Sequence, residues 1–249
     1  MFNKIPQKSL MGIFTFILII IAFFSDGKIV FNLIIALLTT IILDLILTYI
    51  KEKRFYIPSS AVITGLLIGG ILPSAIPFYI PLIASVLAIL SKHFIIINKR
   101  HIFNPASFGL LVILLIFSIS LVWNVNSNLY LVILFGLMLS YKIKRLDYSI
   151  TYLISHIIFS SLLAVYLKES ILPYILTINF FFAFFMFIEP ITSPSKRKSR
   201  IILGILAGLL SVILLQLIPK YDHSILTLII INLLTPILDR KLSAKQISQ

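Results

Sequence analysis

The side chains in this chain that are able to do chemistry sit inside or beside long apolar runs. Asp44 stands within Ile41-Ile42-Leu43-Asp44-Leu45-Ile46-Leu47. A carboxylate inside a bilayer is costly, faces a polar interior and marks an ion or proton path. The competing reading is a carboxylate near enough to the headgroups to reach water, since Lys51 follows two turns later. His101-Ile102-Phe103-Asn104-Pro105-Ala106-Ser107 opens another run. Asparagine is a strong N-cap and proline suits the first helical position, so a helix starts here. At its simplest this is a capped helix. The free N–H groups of a helix start also attract an anion or an electron-rich ring edge. Lys92, His93, Lys99 and Arg100 come just before, so an anionic or heterocyclic cofactor would find a site there.

A third group is Glu189-Pro190-Ile191-Thr192-Ser193-Pro194, which ends an apolar run. Its prolines and hydroxyls break a helix, either as an interfacial stop with a solvated Glu189 or as a second broken-helix element. His156 and Asn179 lie within apolar runs and read as interhelical hydrogen-bonding residues. Asp239, near the end of the last run, reads as interfacial. Phe180, Phe181, Phe182, Phe184 and Phe185 read as lipid-facing or packing residues.

Other chemistries are excluded. The chain has no Cys, hence no disulfide, thiolate metal site or Cys-ligated iron–sulfur cluster. Its four His, at 93, 101, 156 and 223, are nowhere spaced i,i+4. There is no Ser-His-Asp arrangement, phosphate-binding Gly loop or HExxH. No catalytic residue and no metal site are assigned.

The elements that must position these residues follow from composition. Of 249 residues, 60% are hydrophobic and 12% charged, and mean hydropathy is +1.13. One soluble core does not hide that much apolar surface; lipid is the solvent that makes such a chain stable. The apolar runs are roughly 10–25, 29–50, 59–72, 76–91, 105–122, 128–143, 148–167, 171–187, 200–218 and 224–239. The fold class is therefore an all-α integral membrane protein with about ten transmembrane helices, as one polytopic domain over 1–249. The third and fourth runs, separated by Pro73-Ser74-Ala75-Ile76-Pro77, are short of the ~20 residues that a crossing needs. They read as short helices or as a re-entrant pair. Five runs in each half suit two inverted halves with broken helices.

The net charge of +13 is read as topology rather than nucleic-acid binding. If the N-terminus is inside, all but three of the 21 Lys and Arg residues lie in cytoplasmic segments, the exceptions being Lys28, Lys168 and Lys220. This asymmetry predicts a multi-pass protein of the cell membrane with both termini cytoplasmic.

Taken in order, the motifs resemble one known family. They are Asp44 in the second run; Ser60-Ala61-Val62-Ile63-Thr64-Gly65-Leu66-Leu67; Leu72-Pro73 with Pro77; Ser91-Lys92-His93; Phe103-Asn104-Pro105-Ala106; Phe184-Phe185-Met186 with the Glu189–Pro194 block; and Asn232-Leu233-Leu234-Thr235-Pro236-Ile237-Leu238-Asp239-Arg240. The set resembles the family of membrane subunits shared by the Na⁺-translocating NADH:quinone oxidoreductase and the Rnf electron-transport complex. The resemblance implies ten helices in two related halves and electron transfer through membrane-embedded flavin. It assigns His101, Phe103, Asn104 and Pro105, together with Glu189, Thr192 and Ser193, to flavin binding; Asp44 stands where the family tends to carry an acidic residue, and its position within an apolar run assigns it to an ion path. Asn104 matches one flavin-contacting asparagine of the family; His101 stands where the other would be.

The chain also departs from the family. Several members carry FMN covalently on the Thr of a Ser-Gly-Ala-Thr motif, which is absent here; Trp123-Asn124-Val125-Asn126-Ser127-Asn128 occupies the expected loop. The family's Gly-rich stretch before the Asn-Pro block is replaced by Ile95-Ile96-Ile97-Asn98. A non-covalent riboflavin or FMN is expected, and no covalent FMN. The resulting expectation is an electron-transport subunit relaying electrons between a soluble flavin or iron–sulfur reductase and a quinone or membrane partner, alongside other membrane subunits. The rival is an inverted-repeat transporter or channel for an ion or small solute, without a redox cofactor. A third reading is a scaffold that positions partners.

Overall fold

The computed structural model describes residues 6–247 except 56, 98 and 99. Of the basic residues behind the expected sidedness, Lys4 and Lys99 lie outside the described residues, as do the side chains of Lys8 and Lys245. The chain divides into two units, Met1–Phe135 and Gly136–Gln249.

The first unit holds α1 (Gln7–Ser25), α2 (Ile29–Glu52), α3 (Ser59–Ile71), α4 (Tyr79–Phe94), a hairpin of β1 (Ile96–Ile97) and β2 (Arg100–His101), α5 (Pro105–Phe117) and a 3₁₀ turn at Asn124–Asn126. The next helix, α6 (Leu129–Lys142), runs across the division. The second unit continues with α7 (Leu146–Leu167), α8 (Ile171–Ile175), a π turn at Phe182–Met186, α9 (Arg197–Leu217) and α10 (His223–Ile247). The protein is an all-α integral membrane protein. Among the described residues, four stretches are long and apolar enough to cross a bilayer: 29–52, 146–167, 197–217 and 223–241.

The reason lipid suits this fold is plain on α2. Its buried residues are Ile29, Asn32, Ala36, Thr40, Asp44 and Thr48, while Phe31, Ile34, Leu38, Ile42 and Ile46 are exposed. Polar groups face inward and apolar groups outward, the reverse of a soluble helix. α3 packs on that stripe through two glycines. A Cβ on Gly65 would lie 2.8 Å from Leu37 Cα, and one on Gly69 would lie 2.7 Å from Leu33 Cα. Only glycine allows backbones this close, the small-residue packing of membrane helices. In the second unit, α9 approaches α7 in the same way: a Cβ on Gly208 would stand 2.7 Å from His156 N.

Two expected runs end differently. The fifth, expected to reach 122, stops at Phe117, where Ser118 turns left-handed at φ 52°. The chain then doubles back so that the Val122 and Trp123 amides donate to Ile71 O at 3.0 and 3.2 Å. This satisfies a carbonyl that the end of α3 leaves without a helical partner. The eighth run, expected as one segment over 171–187, is broken. α8 has five residues, and the chain becomes helical again only after Asn179, whose Oδ1 accepts from Phe182 N at 2.9 Å. Asn179 is thus a helix cap and not a residue within a helix. The π turn beyond it buries Phe181, Phe182, Phe184, Phe185 and Phe187, each at most 2% exposed, so these rings are packing residues. The shortness expected of the third and fourth runs extends further: α3 and α5 have 13 residues each, and α6 has 14.

Candidate functional site

The inward stripe of α2 brings Asp44 to the end of α4. Asp44 is fully buried, and Lys92 Nζ donates to its two carboxylate oxygens at 2.8 and 2.9 Å. His93 Nε2 lies 2.7 Å from Oδ1. An ionised carboxylate only accepts, so His93 carries a proton on Nε2. The side chains of Lys92 and His93 are 13% and 10% exposed. Asp44 is thus buried within the protein, with its charge met in place by Lys92. The end of α4 suits Lys92 for a second reason, because its last carbonyls carry the negative end of the helix dipole. Lys51 adds a second cation there, donating to His93 O at 2.6 Å and lying over the Phe94 ring.

Directly after α4 the β1–β2 hairpin pairs Ile96 with His101 and Ile97 with Arg100. It turns the chain into α5 and buries His101, which is 8% exposed. Asn104 caps α5 as its sequence predicts: Oδ1 accepts from Ser107 N at 3.1 Å, with Pro105 in the first turn. Phe103 packs against Phe108 with ring centroids 5.4 Å apart. His101, Phe103, Asn104 and Pro105 therefore form one continuous block at the hairpin exit. Within that block the Ser107 hydroxyl is fully buried and has no hydrogen-bond partner among the described residues. A buried hydroxyl left without a partner costs about 1–3 kcal/mol, so such a group calls for water or a ligand.

Glu189, Thr192 and Ser193 belong to the second unit, where they are tied into a charged loop. Thr192 Oγ1 donates to Glu189 Oε2 at 3.1 Å, and Arg145 Nε donates to Ser193 Oγ at 3.1 Å. Two residues on, Ser195 N donates to Asp239 Oδ2 at 2.9 Å and Ser195 O accepts from Arg200 Nη1 at 2.9 Å. Arg200 also holds Asp147, with Nη2 2.8 Å from Oδ2. Burial, and then the neighbouring Arg200, draw the Arg145 guanidinium below its ordinary value, while Asp147 and Asp239 oppose this. Hydrogen bonds fix this loop from several elements, so it is a rigid cationic corner.

A family model matches residues 3–128 and 121–248, and it describes the NQR2, RnfD, RnfE family. The chain belongs to this family. It is accordingly a membrane subunit of the Na⁺-NQR/Rnf type of electron-transport complex. No curated protein sequence matches the chain.

Within this family member, the partnership of Asp44 with Lys92 and His93 is the feature that sequence reasoning misses. Each residue stands out by itself, but nothing local joins them as one group. The available signal is the four-residue spacing of Asn32, Ala36, Thr40, Asp44 and Thr48, which marks an inward face needing a polar partner.

Proposed function

We propose that this chain is the electron-relaying membrane subunit of such a complex and holds a riboflavin or FMN non-covalently at the start of α5. The observation that supports this best is the buried Ser107 hydroxyl beside the Asn104 cap, which has no hydrogen-bond partner among the described residues. A flavin ring edge presents carbonyl oxygens and ring nitrogens, which suit donors such as a hydroxyl, an imidazole and first-turn N–H groups. His101 and Ser107 are the donors in this reading, and Phe103 with Pro105 supplies apolar walls that exclude water. When bound, the flavin supplies the one- and two-electron chemistry. The chain's own residues bind it and orient it.

In the same reading, the basic loops face the cytoplasm of a cell-membrane protein and receive a soluble flavin or iron–sulfur reductase. A quinone or a neighbouring membrane protein takes the electrons. Asp44 serves a coupled ion path by exchanging Lys92 for the passing cation, since its charge is otherwise taken by that lysine.

Gentle purification tests the first part. Protein with flavin absorbance near one equivalent, lost on Asn104→Ala, supports the reading. Colourless protein from cells replete in flavin favours the transporter instead. For the ion path, ion transport unchanged by Asp44→Asn removes Asp44 from the mechanism.

A further inference from the structure

The second unit contains another buried polar cluster, which none of the roles above uses. It is centred on His156 of α7, whose ring is fully buried. Nδ1 lies 2.6 Å from Ser211 Oγ on α9, and Nε2 lies 3.0 Å from Thr177 Oγ1 in the turn after α8. Each hydroxyl also reaches a carbonyl. Ser211 Oγ donates to Gly208 O at 3.1 Å, and Thr177 Oγ1 donates to Tyr174 O at 2.7 Å. A hydroxyl has a single proton to give. With both protons on carbonyls, both oxygens face the ring as acceptors, and both ring nitrogens donate. A ring donating from both nitrogens is an imidazolium. In the neutral ring one nitrogen accepts, and Ser211, with the longer carbonyl bond, is the hydroxyl that turns to donate to it. The cluster thus has two hydrogen-bonded states that differ by one proton and one hydroxyl rotation.

The surroundings supply a route. The buried oxygens of Ser224 and Thr227, and the Nε2 of His223, have no hydrogen-bond partner among the described residues, and the Tyr152 hydroxyl lies within hydrogen-bonding reach of Ser211. The Tyr152 and His223 rings lie 5.9 and 6.3 Å from the His156 ring. Buried polar atoms that no protein group meets call for water or another partner, and the gap between the two imidazoles suits a bridging water. His223 opens α10, beside Asp222, whose Oδ1 accepts from Ile225 N at 2.9 Å. From α10, the groups facing His156 are His223 and, behind it, Asp222; from α7 it is Tyr152. The turn after α8 and the face of α9 contribute the Thr177 and Ser211 hydroxyls.

We infer that His156 is a proton-binding site inside the second unit, loaded from water through His223. The Ser211 hydroxyl passes its proton to His156 Nδ1 and takes one, through bridging water, from His223, which is reloaded from water; the new hydroxyl proton turns onto Gly208 O. Burial opposes the charged ring and two accepting oxygens favour it; their balance sets where the site loads. This stands apart from the flavin reading, since it uses no residue of the α5 block.

The test is nitrogen NMR of the full-length chain in lipid bilayers, with isotope-labelled histidine. Four imidazoles give a spectrum that single His→Gln variants assign. The His156 signal is expected to convert from a neutral tautomer to imidazolium as pH falls between about pH 8 and pH 4. Ser211→Ala removes one acceptor and shifts that conversion to lower pH. His223→Phe leaves the conversion in place but removes the exchange of the His156 proton with water. If His156→Gln does not fold, His93→Gln, His101→Gln and His223→Phe assign the remaining signal by elimination. A His156 ring that stays neutral throughout overturns the site, and water exchange unaffected by His223→Phe overturns the route.

Discussion

Asp44 and Lys92, 48 positions apart in the chain, meet at 2.8 and 2.9 Å with the carboxylate fully buried. Neither residue is stable alone at that depth, because an unpaired buried charge is far costlier than a paired one. The pair therefore fixes how α2 and α4 stand against each other. His93, on the same carboxylate, adds a second donor from α4.

Lys92→Met, which strands Asp44, is expected to destabilise the protein by about 3–5 kcal/mol. Asp44→Asn combined with Lys92→Met should recover most of that loss. Unfolding curves in a mild detergent measure the double-mutant cycle; additive losses would mean that the two side chains do not act as a pair.

The glycine contacts make a prediction that is independent of charge. Gly65→Ala places a Cβ 2.8 Å from Leu37 Cα, against backbone that has no room to yield. The expected cost is about 1–3 kcal/mol. Gly12→Ala meets only Ile63 Cγ1 at 3.6 Å, an ordinary contact, and should leave the melting temperature unchanged. Equal behaviour of the two variants would refute the close α2–α3 approach.

How far the sequence leads is clearest on particular residues. The Asn104-Pro105 start of α5 is legible because capping is local: Oδ1 reaches an amide three residues on. The membrane class is legible from composition. The break of the eighth run is not, because Ile171–Phe187 is apolar enough to read as one segment, and the cap at Asn179 is only one polar residue among many apolar ones. The union of Asp44 with Lys92 and His93 is non-local, and periodicity on one helix does not name its partner on another. The tie of the doubled-back Val122–Trp123 segment to Ile71 O has no sequence motif at all.

Ser107→Ala should weaken flavin retention about three- to tenfold, the worth of one hydrogen bond of about 0.5–1.5 kcal/mol, while the fold is retained. Equilibrium dialysis of riboflavin against the purified chain reads this directly. Retention equal to the parent protein would exclude the hydroxyl as a ligand contact.

The absence of Ser-Gly-Ala-Thr leads to a separate outcome. The intact mass of denatured protein should equal that of the polypeptide, with no flavin fluorescence left on the band in a denaturing gel. A phosphoester-linked FMN adduct would contradict it.

The inward stripe of α2 has one further consequence. Asn32, Ala36, Thr40, Asp44 and Thr48 recur every four residues, whereas a helical turn takes about 3.6. Each step therefore carries the stripe about 40° further round the helix. Asn32 consequently meets Pro73 O beyond α3, Thr40 lies against Gly65 within α3, and Asp44 meets Lys92 on α4. The stripe winds like a screw thread, engaging one neighbour after another. A thread tolerates changes on its outer surface but not a change of pitch. Inserting one residue between Thr40 and Asp44 would swing the carboxylate about 100° away from Lys92, and no rotamer change would bring it back.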